Sequence, residues 1–155
     1  MDIEPIKPED IPACVSLIST AFDGYVGYDY SREGKDTFYR FVNEEALLER
    51  FGKGNLMVCA RENGRIVGFQ EVRDTNHVCL FFVDPEYHFK GIGRALFEHS
   101  LGEIRRKHPG VKKITVNSSI YAEPIYAKLG FLRTAPVQEK DGITYVPMKY
   151  SPRPG

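Results

Sequence analysis

The sequence predicts an α/β protein of the α+β kind, with a mixed, mostly antiparallel sheet flanked by helices. Three observations carry this. Strand-like and helix-like apolar periods alternate along the chain in the order β-α-α-β-β-β-α-β-α-β-β. Two turn signals, Asn63-Gly64 and Asp141-Gly142, each join two β-rich runs and so make antiparallel neighbours. The run "HVCLFFV", His77 to Val83, is apolar throughout rather than alternating, as in a central strand covered on both faces. About seven strands and about four helices follow from that order.

The elements are justified in turn. "IEPI" is a short strand. "KPEDIPACVSLISTAF" is a helix: Pro8, Glu9 and Asp10 are start signals, Ile11, Val15, Ile18 and Phe22 keep a helical spacing, and Gly24 stops it. The aromatic-rich connection "YVGYDYSREG" leads to a second helix, "KDTFYRFVNEEALLERF", closed by Gly52 and Gly54. Leu56–Ala60 and Arg65–Val72 form the first hairpin. After the apolar strand, Gly91 to about Lys107 is a helix with an inner stripe of Ile92, Leu96, Phe97, Leu101 and Ile104. "VKKITVN" is a strand, and "YAEPIYAKLG" is a short helix with Pro124 in its first turn and Gly130 at its end. Residues 131–150 hold the last hairpin. Residues 1–150 are expected to form one domain, with 151–155 a loose tail.

Composition removes several function classes. The 21 basic and 21 acidic residues cancel, so no global field steers nucleic acid. No apolar run is long enough to span a membrane, and the acidic N-terminus lacks a signal core, so a cytoplasmic location is expected. Cys14, Cys59 and Cys79 are widely spaced and signal neither a disulfide framework nor a zinc site.

The stretch with chemistry in it is "VDPEYHFKGIGRALF", Val83 to Phe97. Its glycines open a helix just after a strand, which suits an anion: free N–H groups and the positive end of the helix dipole face the same point. A dinucleotide fingerprint needs a third glycine, where this chain has Leu96. The G-K-[ST] of a nucleoside-triphosphate loop is absent. A tight anion cradle remains, with Lys90 and Arg94 beside it, and so does a plain glycine-rich helix start.

A second stretch, "VNSSIYAEPIYAKLGF", follows one strand and one helix later. Together the two resemble the GNAT superfamily of acetyl-CoA-dependent N-acetyltransferases. The family's loop V-x-P-x-x-(Q/R)-x-x-G-x-(G/A) is matched by Val83-Asp84-Pro85 and His88-Phe89-Lys90-Gly91-Ile92-Gly93. Its later Asn and Y-x-K-L-G-F segment are matched by Asn117 and by Tyr126 to Phe131. His88 replaces the usual Gln or Arg, and Phe89 a common Gly. The resemblance covers about residues 2 to 150.

The resemblance implies acetyl transfer from acetyl-CoA to a primary amine, by direct attack through a tetrahedral intermediate and without a metal. It implies that His88, Phe89, Lys90, Gly91, Ile92, Gly93 and Arg94 cradle the pyrophosphate. Phe81, Phe82 and Val83 would run beside the pantetheine arm, with a bulge freeing an N–H at Phe82 or Val83 for the thioester oxygen, and Asn117 would reach the arm or a water there. Tyr126 shares an inward stripe with Ala122, Ile125 and Leu129. The resemblance makes it the general acid for the leaving thiolate; the bland alternative is a buried tyrosine satisfied by a carbonyl. The base is left open between Glu71, His77 and a water chain. Cys79 has no His or Asp arranged beside it, so a covalent intermediate is not expected.

The implied fold sets the N-terminal helices and their connection along the acceptor pocket. Phe22, Tyr25, Tyr28 and Tyr30 are the candidate acceptor contacts, and Asp23, Asp29 and Glu33 could attract an amine. The acceptor is a small-molecule amine, an aminoglycoside-like cation, or a peptide amine. No nucleic acid or membrane partner is expected, and the resemblance is compatible with a homodimer. The competing function is a silent acyl-CoA-binding sensor or scaffold, which needs the glycine turn but no acid.

Overall fold

The computed structural model describes residues 1–153. The last two residues of the expected tail, 154 and 155, lie outside the described residues. Eight strands are formed among them: β1 (Asp2–Pro5), β2 (Leu56–Glu62), β3 (Arg65–Arg73), β4 (His77–Val83), β5 (Ile114–Ser118), β6 (Leu132–Arg133), β7 (Gln138–Lys140) and β8 (Ile143–Tyr150). The helices are α1 (Ile11–Gly24), α2 (Arg32–Phe41), α3 (Glu44–Gly52), α4 (Ile92–Lys107) and α5 (Glu123–Leu129). The strand order is β1-β2-β3-β4-β5-β8-β6, with β7 paired to β8. Every pairing is antiparallel except β4 with β5.

The second expected helix is two helices. Asn43 stands at φ −158°, outside the helical range, and its Oδ1 accepts the Ala46 N–H at 2.9 Å. An asparagine that caps a new helix ends the one before it. The apolar periodicity runs straight through this break, so the spacing hid it. The final segment likewise divides into β6 and the β7–β8 hairpin.

Helices cover both faces of the sheet. On one face α1, α2 and α3 bury Phe22, Phe38 and Leu47 against Cys59, Phe69 and Leu80. On the other, α4 and α5 bury Leu96, Phe97 and Tyr126 against Val58, Val67, Val72 and Val78. Two-sided burial explains why β4 reads as a continuous apolar run. No helix of the described residues is long and apolar enough to cross a membrane.

One buried ion pair ties the helical layer to the sheet. The Glu71 side chain is fully buried and takes Arg50 Nε at 2.7 Å, Arg50 Nη2 at 3.1 Å and Asn55 Nδ2 at 2.9 Å. Arg50 Nη1 also donates to the Phe41 carbonyl at 2.8 Å, and its guanidinium lies 3.7 Å from the Phe41 ring centroid. A planar fork that meets two carboxylate oxygens and a carbonyl is a geometry lysine cannot copy. Removing one partner leaves the other charge buried alone, at a cost of about 3–5 kcal/mol. Arg50→Ala is therefore expected to lower the unfolding free energy by about 3 kcal/mol in urea titration, with Arg50→Lys recovering less than half of that loss.

Candidate active site

The site begins where β4 parts from β5. Their parallel pairing holds only at His77 with Thr115 and Val78 with Val116. At the same level β4 carries an extra residue: Val78 pairs with Val72 and Leu80 with Glu71, which leaves Cys79 bulged. A bulge bends and twists its strand, and β4 beyond it has no partner on the β5 side. The Asp84 N–H donates to the Val67 carbonyl at 2.8 Å. Antiparallel ladders alternate, so the Phe82 N–H also turns towards β3, while the N–H groups of Phe81 and Val83 face the gap. The sequence offered Phe82 or Val83 as the free donor; the alternation excludes Phe82. The Val83 carbonyl faces the gap as well and accepts from His88 Nε2 at 3.1 Å. A carbonyl only accepts, so that nitrogen carries the proton.

The glycine turn follows directly. Asp84 anchors it: Oδ1 accepts the Glu86 N–H at 2.9 Å, and Oδ2 takes Arg65 Nη2 at 3.0 Å. Phe89 adopts φ +65° with its ring fully exposed, which explains the family's usual glycine at this point. Gly91 is the N-cap of α4 at φ +80°, with no side-chain cap. The first backward hydrogen bond of the helix runs from Ala95 N–H to the Gly91 carbonyl. The N–H groups of Ile92, Gly93 and Arg94 therefore have no helical partner. A Cβ on Gly93 would meet the Phe81 ring at 3.7 Å, an ordinary contact. The protein alone does not demand glycine there; its Cβ would instead occupy the space between α4 and β4. Arg94 Nη2 donates to the Lys128 carbonyl at 2.9 Å and joins α4 to α5. Free donors, an open backbone and nearby cations fit a diphosphate.

These parts enclose a cleft of about 510 Å³. Of the sequence-predicted residues it is lined by Tyr25, Phe81, Phe82, Val83, His88, Phe89, Gly91, Ile92, Gly93, Arg94 and Tyr126. Tyr126 is 7% exposed, with its ring 5.8 Å from Phe81 and 5.3 Å from Phe131 between centroids. Burial, then the neighbouring Cys79, pushes its pKa above the ordinary phenol value. Among the described residues nothing hydrogen-bonds its hydroxyl. A carbonyl-satisfied core tyrosine is thus not what the chain builds.

Other candidates stand apart from the cleft. Glu71 is buried, with Oε1 accepting from Arg50 and Oε2 from Arg50 and Asn55, and does not line the cleft. His77 lies before the bulge, with Nδ1 2.8 Å from Thr115 Oγ1, and burial followed by Arg73 lowers its pKa. Burial and then the Glu71 charge push the Cys79 thiol up to about 12, so it stays protonated at neutral pH. Phe22 is a core residue, stacked on Phe38 at 3.8 Å, and Tyr30 packs edge-on against it. Tyr28 is 81% exposed, and Lys90 sits over the Tyr87 ring at 5.1 Å. Asn117 is exposed on β5 opposite Pro147. The sequence reading missed Tyr121, Val26, Ile125 and Lys128, which line the cleft. The α5 stripe already contained Ile125; Tyr121 carries no local signal, because its place follows from the turn before α5.

Residues 26–152 match the family model described as an acetyltransferase (GNAT) domain. The [Ribosomal protein bS18]-alanine N-acetyltransferase of Escherichia coli K12 is 30% identical over 93 residues, 57% of this chain and 63% of its own. The match thus spans just under two thirds of that relative. A GCN5-related N-acetyltransferase structure from Rhodopseudomonas palustris superposes with a TM-score of 0.82 at 21% identity, over 97% of this chain and 94% of that one. The PaiA N-acetyltransferase of Thermoplasma acidophilum, solved with coenzyme A, gives 0.76 at 19% identity, over 97% and 98%. The chain belongs to the GNAT acetyltransferase family.

The cradle makes separate demands on its two left-handed residues. Gly91→Ala adds a Cβ at φ +80° and is expected to weaken coenzyme A binding about tenfold by calorimetry. Phe89→Gly relieves the same strain and keeps every backbone donor, so the dissociation constant is expected to stay within about threefold.

Proposed function

We propose that this member of the GNAT acetyltransferase family moves an acetyl group from acetyl-CoA to a primary amine. The observation that carries this is the Tyr126 hydroxyl, free of protein partners in a cleft bounded by the parted strand and the glycine turn. In this reading the N–H groups of Ile92, Gly93 and Arg94 bind the pyrophosphate. The N–H groups of Phe81 and Val83 pair with the pantetheine arm and the thioester oxygen. The amine nitrogen attacks the carbonyl carbon, the C–S bond breaks as the C–N bond settles, and the thiolate receives a proton. Bulky Phe81 and Phe82 beside this path favour a short acyl group.

Tyr126 supports the leaving sulfur. A phenol near 10 is already a weaker acid than a thiol near 8.5, and burial widens that difference. The hydroxyl therefore acts by hydrogen bonding to sulfur as charge develops, and the departed thiolate takes its proton from the water that has received the amine proton. Neither Glu71 nor His77 is placed to take the amine proton, so water at the cleft mouth receives it. The bS18-alanine enzyme is named for a peptide amine; for this chain the acceptor class is taken up below.

The active phenol is the protonated one, present below its pKa, and a raised pKa extends activity upward. No descending alkaline limb in kcat is expected below about pH 10. Tyr126→Phe is expected to lower kcat roughly 100-fold while coenzyme A affinity is unchanged. Coenzyme A binding with no thiol release from any amine would instead support the silent binding module.

A further inference from the structure

We infer that the acceptor is a monoamine on an uncharged aromatic or apolar body, held against Tyr25 and Tyr121, and not a polycation. This rests on the acyl-transfer reading above. One wall of the cleft is made by Ala21 of α1 with Tyr25 and Val26 just after it, and by Tyr121 and Ile125 around the start of α5. The Tyr25 ring lies 6.2 Å from that of Tyr121 and 6.1 Å from that of His88, tilted by 56° and 53°. Tyr25, Tyr121 and Ile125 are 45%, 41% and 46% exposed, so each offers about half its surface to an incoming ligand. Tilted, half-exposed rings from separate segments form a surface on which a flat apolar body packs edge-on or offset.

Charge points the same way. None of the three acids that the sequence offered to an amine, Asp23, Asp29 and Glu33, lines the cleft. Asp23 Oδ1 accepts the Tyr39 hydroxyl at 2.5 Å. Glu33 packs against the Asp141-Gly142 turn, with Oε1 2.7 Å from where a Gly142 Cβ would stand. Asp29 is exposed and does not line the cleft. No lining residue is Asp or Glu. A polycation would carry several charges into that lining without a carboxylate to meet them. A monoamine has one charge to lose, and an apolar wall lowers the pKa of an ammonium by desolvating it. The wall thereby favours the neutral nucleophile that the reaction needs, which accounts for a site with no placed base.

The test compares kcat/KM for 2-phenylethylamine, spermidine and an alanyl peptide with acetyl-CoA, following free thiol. The expected result is at least a tenfold preference for 2-phenylethylamine. Tyr25→Ala and Tyr121→Ala should each raise its KM roughly three- to tenfold. The KM for acetyl-CoA should stay unchanged, and the Phe variants should retain most of the affinity. Preference for spermidine or the peptide overturns this inference and leaves acyl transfer standing, as does an amine KM indifferent to both alanine variants. Turnover of no amine at all overturns both.

Discussion

The parting of β4 from β5 is the constraint on which the rest of the site depends. One extra residue, Cys79, shifts the β3–β4 register just where the parallel pairing ends at Val78. An unbroken sheet would use the Phe81 and Val83 N–H groups for its own ladder and close the cleft. The bulge instead leaves them unpaired along an edge in the middle of the sheet. Such an edge normally invites another strand; in the function proposed above, an extended cofactor arm takes that role.

The neighbouring interactions read as supports for that gap. Glu71, the β3 residue at the register shift, is held by Arg50 and Asn55, so α3 is fastened to the bulge itself. Asp84 fixes the far end of β4 through Arg65 and the Glu86 N–H, and so sets where the glycine turn begins. Arg94 then reaches across to the Lys128 carbonyl, holding α4 beside the Tyr126 helix. The Arg94 contact joins two elements that line the cleft, and the other two brace β4 from the β3 side. The donors consequently meet a ligand already oriented, which is the condition for strong electrostatic stabilisation.

Much of the fold was legible because local and global signals agree: the hairpin turns, the apolar β4 run and the glycine turn each carry their own chemistry. The break at Val42–Asn43 was not, because the apolar period continues across it and only the Asn43 capping geometry reveals it. At the site, the glycine turn was legible because Gly91 marks a backbone conformation, φ +80°, rather than a contact. Side-chain roles fared less well. Glu71 was a candidate base and is held instead in a buried ion pair with Arg50. Phe22 belongs to a helix whose inner face is core, while Tyr25, three residues on, lies past the bend and faces the cleft. Which side of that bend a ring falls on depends on packing between distant segments.

The parting of the strands is tested most directly by amide hydrogen exchange at single-residue resolution, with and without coenzyme A. In the free protein the Phe82 amide should already be protected by β3, while Phe81 and Val83 exchange fast. Adding coenzyme A should slow Phe81 and Val83 and leave Phe82 unchanged. Slow exchange at all three in the free protein, or no response of Phe81 and Val83 to the ligand, would contradict the account.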